Sequence, residues 1–133
     1  MQFSTTLRNA RADAIETVVG ASPVLEVRSG AAPADCAAAD TGAVLATLAL
    51  PADWMAAAAN GAKALLGLWQ DLSADANGDA AHFRIKSNGG TPCHVQGTVT
   101  ATGNGGDMTL ASVTLAAGQE FTVNSFTVTE GNA

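Results

Sequence analysis

The chain has 133 residues, a length that suits one domain (1–133) and allows a core without metals or staples. Twelve acidic residues against six basic ones give a net charge of −6, and Arg8, Arg11, Arg28, Lys63, Arg84 and Lys86 form no basic stripe among aromatics, which argues against nucleic-acid binding. The chain is 47% apolar, but alanine dominates beside four Phe, two Trp and no Tyr; the expected core is thin and stabilised with a partner or further copies.

The first ten residues, MQFSTTLRNA, lack the basic and apolar regions of a secretory signal, and no apolar run reaches the roughly 18 residues of a membrane span. A soluble product of the cytoplasm is expected. A helix is predicted over residues 4–19, capped by Ser4, Thr5 or Thr6. Leu7, Ala10, Ala14, Ile15 and Val18 share one side at the 3.6-residue period, so they are the expected docking face, with Arg8, Asp13 and Glu16 elsewhere. Gly20 suits the left-handed terminating position, and Pro23 blocks continuation. A helix this short must dock, on its own sheet or on a neighbour.

The β body is predicted over residues 23–130. Residues 24–28 alternate, with Leu25 and Val27 opposite Glu26 and Arg28. An Ala-, Pro- and Asp-rich loop follows over 30–42 with Cys36 inside it, then an apolar strand over 44–50. Residues 51–59 read as a turn or a single helical turn, Asn60-Gly61 as a turn signal, and 62–69 as a strand in spite of helix-compatible leucine spacing. Residues 71–79 are a polar loop. In 81–86, Phe83 and Ile85 face inward, while His82, Arg84 and Lys86 face outward as surface residues. Asn88-Gly89-Gly90 predicts a hairpin that pairs Ile85 with Cys93 and Phe83 with Val95, setting Arg84 opposite His94. Cys93, Val95, Gly97 and Val99 then share the inner face. Short strands, or one bent strand, are expected near 108–110 and 113–115, and a last one over 120–129 whose inward set changes phase at Asn124 and Ser125, the mark of a bulge or corner. About seven strands separated by frequent turns indicate a mostly β fold, an antiparallel β-sandwich or jelly-roll-like barrel with a short N-terminal α-helix.

Few constellations bear chemistry. Ser73, Asp75, Asn77 and Gly78 fit the start of a calcium loop, but its last ligand position falls on Arg84 where a bidentate Glu is required, so a solvated turn is the better reading. Cys36, Cys93, His82 and His94 fit no zinc spacing. No nucleophile carries an elbow or partner spacing, and nothing recommends a meeting of Glu26, Asp53 and Asp71. The expectation is a non-enzyme without metal or cofactor. Two cysteines are too few for a disulfide framework; a Cys36–Cys93 bridge would close a loop of roughly 57 residues, and two reduced thiols are the other reading.

The segments FSTTLRNARADAIETVVGASPVLEVRSGAAPADCAAADTG, LATLALPADWM and GGDMTLASVTLAAGQEFTVNSFTVTEGNA resemble small proteins of tailed bacteriophages and prophages of proteobacteria. The resemblance runs over nearly the whole chain and transfers no catalytic residue. It implies a virion structural component made in the host cytoplasm, best matched by a capsid decoration (cement) protein that assembles as a homo-oligomer, a trimer by analogy, against phage capsid or other virion proteins. Neck, tail or fibre association is the alternative within that class. Under this reading Leu7, Arg8, Arg11, Ile15 and Val18 would make the assembly contacts, and removal of residues 1–20 should leave a folded β body. A different class is a virion-displayed module for host-surface glycans, using Arg84, His94 and an exposed Trp54 or Trp69; core packing is the competing role for both tryptophans.

Overall fold

A computed structural model describes residues 1–131; residues 132 and 133, at the end of the expected domain, lie outside the described residues. The chain runs α1 (Thr5–Val19), β1 (Val24–Arg28), β2 (Val44–Ala49), β3 (Ala62–Ala64), β4 (Trp69–Asp71), β5 (Gly78–Asp79), β6 (His82–Lys86), β7 (Cys93–Ala101), β8 (Met108–Leu110), β9 (Thr114–Leu115), β10 (Phe121–Val123) and β11 (Thr127–Thr129). The fold is mostly β with one short N-terminal helix, as the alternation and turn spacing predict.

The main sheet has the order β2-β1-β6-β7-β8. Its pairs are antiparallel except the last, where β8 returns parallel to β7 with Val99 opposite Met108. Three two-stranded pairs, β10-β4, β11-β3 and β5-β9, form the remaining β structure. The phase change at Asn124 and Ser125 is a corner: β10 pairs with β4 before it, and β11 with β3 after it. The 62–69 segment is two strands rather than one. It breaks between β3 and β4, where Gly67 adopts φ +77°.

Alternation places Leu25, Val27, Phe83 and Ile85 on the inner face of the main sheet, all buried. Trp69, Phe121, Val123 and Phe126, from the paired short strands and their corner, join the same core cluster. An aromatic chain links the layers: Phe83 meets Phe126 edge-on at 5.5 Å between centroids, Phe126 meets Trp69 at 5.5 Å, and Trp69 meets Trp54 at 5.9 Å. The indole N–H of Trp69 donates to Trp54 O at 3.1 Å, so neither indole body nor its polar atom needs water. Both tryptophans are core residues, and the few large side chains are concentrated at the layer junction.

Helix α1 is capped as expected. Ser4 Oγ accepts from Leu7 N at 3.2 Å, and Gly20, at φ +89°, returns its N–H to Glu16 O. Its orientation differs from the expectation. Ala12 and Val19 are the buried positions, flanked by half-buried Arg8, Asn9, Asp13, Ile15 and Glu16, while Leu7, Ala10, Ala14 and Val18 are exposed. The helix docks by Ala12, Ile15 and Val19 together with the polar side chains beside them. The reason is the acceptor and donor groups that the β body presents there: Asn9 Oδ1 accepts from Gly61 N, Asp13 Oδ1 from Ala58 N, and Glu16 Oε1 from Met55 N, at 2.8–3.2 Å.

Asn60 and Gly61 form the turn between those elements, both left-handed at φ +53° and +77°. A Cβ on Gly61 would stand 2.3 Å from Arg8 Nη2. Gly61→Ala should therefore cost about 1–2 kcal/mol for the left-handed backbone, with Arg8 pushed off the turn. Thermal unfolding should register a fall in Tm of roughly 3–8 °C; no change would mean that the turn relaxes freely.

Candidate functional site

The outer face of the main sheet is where sequence and structure differ most. His82, Arg84 and Lys86 on β6, and Arg28 on β1, are buried rather than exposed, at 0%, 2%, 5% and 7%. Residues 30–42 fold back over them, and the alanines of that loop carry no bulk that would keep its backbone away. Arg84 anchors the loop: Nη1 donates to Ala38 O at 3.1 Å and to the Asp40 carboxylate, and Nη2 donates to Cys36 O at 2.8 Å and Asp35 O at 3.3 Å. Gln96 Nε2 donates to Pro33 O, and His82 Nδ1 bonds to Gly30 O at 2.7 Å. The carbonyl can only accept, so the His82 proton sits on Nδ1.

Three buried cations share two carboxylates. Lys86 Nζ reaches Glu26 Oε2 at 2.9 Å and Asp40 Oδ2 at 2.7 Å, and Arg28 reaches the same two oxygens at 2.8 and 3.2 Å. The Lys86 bond, with Arg84 and Arg28 nearby, holds the Asp40 carboxyl below its ordinary range in spite of partial burial. Arg84 Nε and His82 Nε2 have no hydrogen-bond partner among the described residues. This cluster is a structural clamp: its donors point at the chain's own carbonyls and carboxylates.

The hairpin register explains where the cysteine lies. Ile85 pairs with Val95, Phe83 with Gly97 and Arg84 with Gln96, a shift of two residues from the expected pairing, and the ladder slips again between Ile85 and Lys86 so that Lys86 faces Cys93. The connection is longer than three residues; Ser87 N donates to Pro92 O and Gly90 N to Ser87 O. The slip takes Cys93 off the inner face expected for it. It lines a cleft of about 270 Å³ with Cys36, Arg84 and Lys86, on the side covered by the loop. Cys36 and Cys93 are both free thiols and lie together.

His94 faces a groove beside the helix, lined with Arg11, Ala14, Ile15, Val18 and Val95. Its Nε2 lies 2.9 Å from Ser87 Oγ, a pairing that resembles a hydrolytic dyad. Ser87 Oγ, however, donates to Val19 O at 3.0 Å, so its proton is committed to a carbonyl and His94 is the donor in the pair. The arrangement ties helix, hairpin and sheet together.

The acidic residues of the 71–79 loop serve the fold. Asp71 accepts from Thr47 N and Ser73 N, Asp75 from the Thr47 hydroxyl, Asn77 from Ala117 N and Asp79 from the Thr114 hydroxyl. Glu26, Asp53 and Asp71 do not meet: Glu26 joins the cation cluster, and Asp53 lies beside Glu16, whose hydrogen bond and charge raise its carboxyl above the ordinary range. Among the described residues no group of three or more His, Cys, Asp or Glu could hold a metal, and no helix is long and apolar enough to cross a membrane.

Of the positions expected at an assembly surface, Leu7 and Val18 are exposed at 46% and 66%. Arg8 is used internally, donating to Glu130 O and Asn60 O; Arg11 pairs with Glu130 at 3.0 Å under the Phe3 ring; Ile15 packs against the core. The glycan surface is not assembled: Trp54, Trp69 and Arg84 are buried, and Arg84 lies opposite Gln96 rather than His94. No family model, curated protein or solved structure matches the chain.

Proposed function

We propose that this chain is a non-enzymatic structural protein of a bacteriophage virion, a capsid decoration protein that stabilises the shell by protein–protein contacts and self-association. The observation that carries the reading is the outward apolar stripe of α1, formed by Leu7, Ala10, Ala14 and Val18 while the polar side of the helix is spent on the chain's own β body. A surface helix normally turns such a stripe inward. Here it is left over for another surface, and the groove between α1 and β7 continues it. The sequence resemblance to phage virion proteins supplies the partner class, a capsid subunit or a sibling copy.

Val18→Asp combined with Leu7→Asp tests this directly. Both side chains are exposed, so stability should stay within about 0.5 kcal/mol of the parent chain. Mass spectrometry of purified particles should find the parent at a copy number comparable with the shell protein and the double variant absent. Normal incorporation of the variant would remove α1 as the assembly surface. A handful of copies of the parent per particle would place the protein at the neck or tail, and none at all would overturn the virion role.

A further inference from the structure

The two cysteines, 57 residues apart in sequence, are gathered around one guanidinium. Arg84 donates to Cys36 O at 2.8 Å and also lies against the Cys93 sulfur, while the β6–β7 slip sets Cys93 beside Lys86. The Cys36 thiol interacts with the Cys93 thiol across the cleft they both line. Both residues are half-buried, within reach of a small reagent entering the cleft. The backbone around Cys36 is held by further bonds: Ala37 N and Ala38 N donate to Asp35 Oδ1 at 2.9 and 2.8 Å, and Asp40 is fixed by Arg28, Arg84 and Lys86.

We infer that Cys36 and Cys93 are an oxidisable pair whose disulfide clasps the 30–42 loop to β7 over the buried Arg84. This is a property of the chain and does not rest on the virion reading. The oxidant required is a low-molecular-weight disulfide. The Cys93 thiolate attacks one of its sulfurs; that S–S bond breaks, and the first small thiolate leaves and takes up a proton. Cys36 then loses its proton to solvent and attacks the Cys93 sulfur of the mixed disulfide, expelling the second small thiol. Two protein thiols are oxidised and one small disulfide is reduced, with no electron left over.

The two steps are unequal. Burial, then the neighbouring Cys93, pushes the Cys36 thiol up to about 11, so it stays protonated near neutral pH and is the later of the two to react. A reducing cytoplasm keeps the pair open, and an oxidising exterior closes it. Closure removes freedom from the unfolded chain across a long loop.

Incubating the full chain with oxidised glutathione at pH 8 tests the inference. The expected product is a monomer lighter by two hydrogens, with both cysteines closed to alkylation and Tm raised by roughly 10 °C, reversed by dithiothreitol. Cys36→Ser should stop at a stable glutathione adduct on Cys93, and Cys93→Ser should react much more slowly. The wild-type arm decides the matter even if a serine variant folds poorly. Persistent glutathione adducts, disulfide-linked dimers or two thiols that remain alkylatable in the wild type would overturn the clasp.

Discussion

Arg84→Met should destabilise the protein by about 3 kcal/mol and free the loop over residues 31–42, the largest effect expected from any single cation here. The side chain is 2% exposed, and its two terminal nitrogens hold three backbone carbonyls and one carboxylate. Methionine fills most of the volume but offers no donor. The carbonyls of Asp35, Cys36 and Ala38 then either stay buried without partners or lift away to find water. Asp40 is partly exposed and keeps Lys86 and Arg28, so its own loss is small, which holds the total below the upper range for broken buried pairs. Arg84→Lys should recover only part of the loss, because one ammonium with three donors cannot serve three carbonyls and a carboxylate in the fork geometry of a guanidinium. Urea unfolding gives the magnitude, and amide exchange locates it: protection should fall at Ala37, Ala38 and Ala43 before it falls in β1 or β6. A stability within 1 kcal/mol of the parent, with unchanged exchange at those amides, would show that the loop is held by its own turns.

How far this was legible in the sequence depends on which partner a residue has. Alternation located β1 and β6 and the inward set Leu25, Val27, Phe83 and Ile85, because a strand's period is a local property. The same alternation marked His82, Arg84 and Lys86 as outward, which they are; that outward also meant buried was set by a loop some 45 residues away. Only the composition of that loop pointed to it: small alanines that permit close approach, and carboxylates at Asp35 and Asp40. Of the docking face that periodicity predicts for α1, only Ile15 packs against the core, because alanine counts as apolar in a periodicity argument but contributes little to docking. The hydrogen-bonding groups of Asn9, Asp13 and Glu16 contribute more. A usable signal lay in Asp13 and Glu16, one turn apart, against Lys63, a lone cation among apolar neighbours. All six basic residues turn out to be held by carboxylates or carbonyls from other segments, with Glu26 on the same strand face adding to the hold on Arg28. The six cations each have a structural post. The Cys93 position was lost for another reason: a slip of the β6–β7 ladder near the hairpin leaves no pattern in the residues themselves.

Lys63→Met should cost about 2–3 kcal/mol and loosen α1 from the body. Lys63 is 1% exposed, and its ammonium donates to Asp13 Oδ1 at 2.8 Å and Ala56 O at 2.9 Å and pairs with Glu16 Oε2 at 2.8 Å. Both carboxylates are partly exposed and can rehydrate, which discounts the loss. The pH dependence separates this role from simple packing. The Lys63 bond, with Ala58 N–H, lowers the Asp13 carboxyl below its ordinary 3.8; for Glu16, burial acts upward, but Lys63 and Met55 N–H outweigh it and the group falls below 4.5. A carboxyl lowered in the folded state stabilises it fully above its ordinary value, and that contribution disappears as pH falls through the lowered one. Burial alone would lower Lys63, yet its two carboxylate partners raise it above 10.5, so its contribution is complete below that value and is lost as pH rises past it. The parent should therefore hold a stability plateau from about pH 5 to 8, with losses at both ends, the alkaline one shared with the Cys36 thiol, whose raised value adds stability that fades above its ordinary 9.0. Lys63→Met should flatten the acid limb and leave only the Cys36 share of the alkaline one. It should also make truncation of residues 1–20 informative: without α1 the parent's Lys63 loses both carboxylates and keeps only Ala56 O, whereas a Met at that position needs no partner. A shortened chain that folds only when it carries Lys63→Met would show that the helix is bound to the body by this ion cluster.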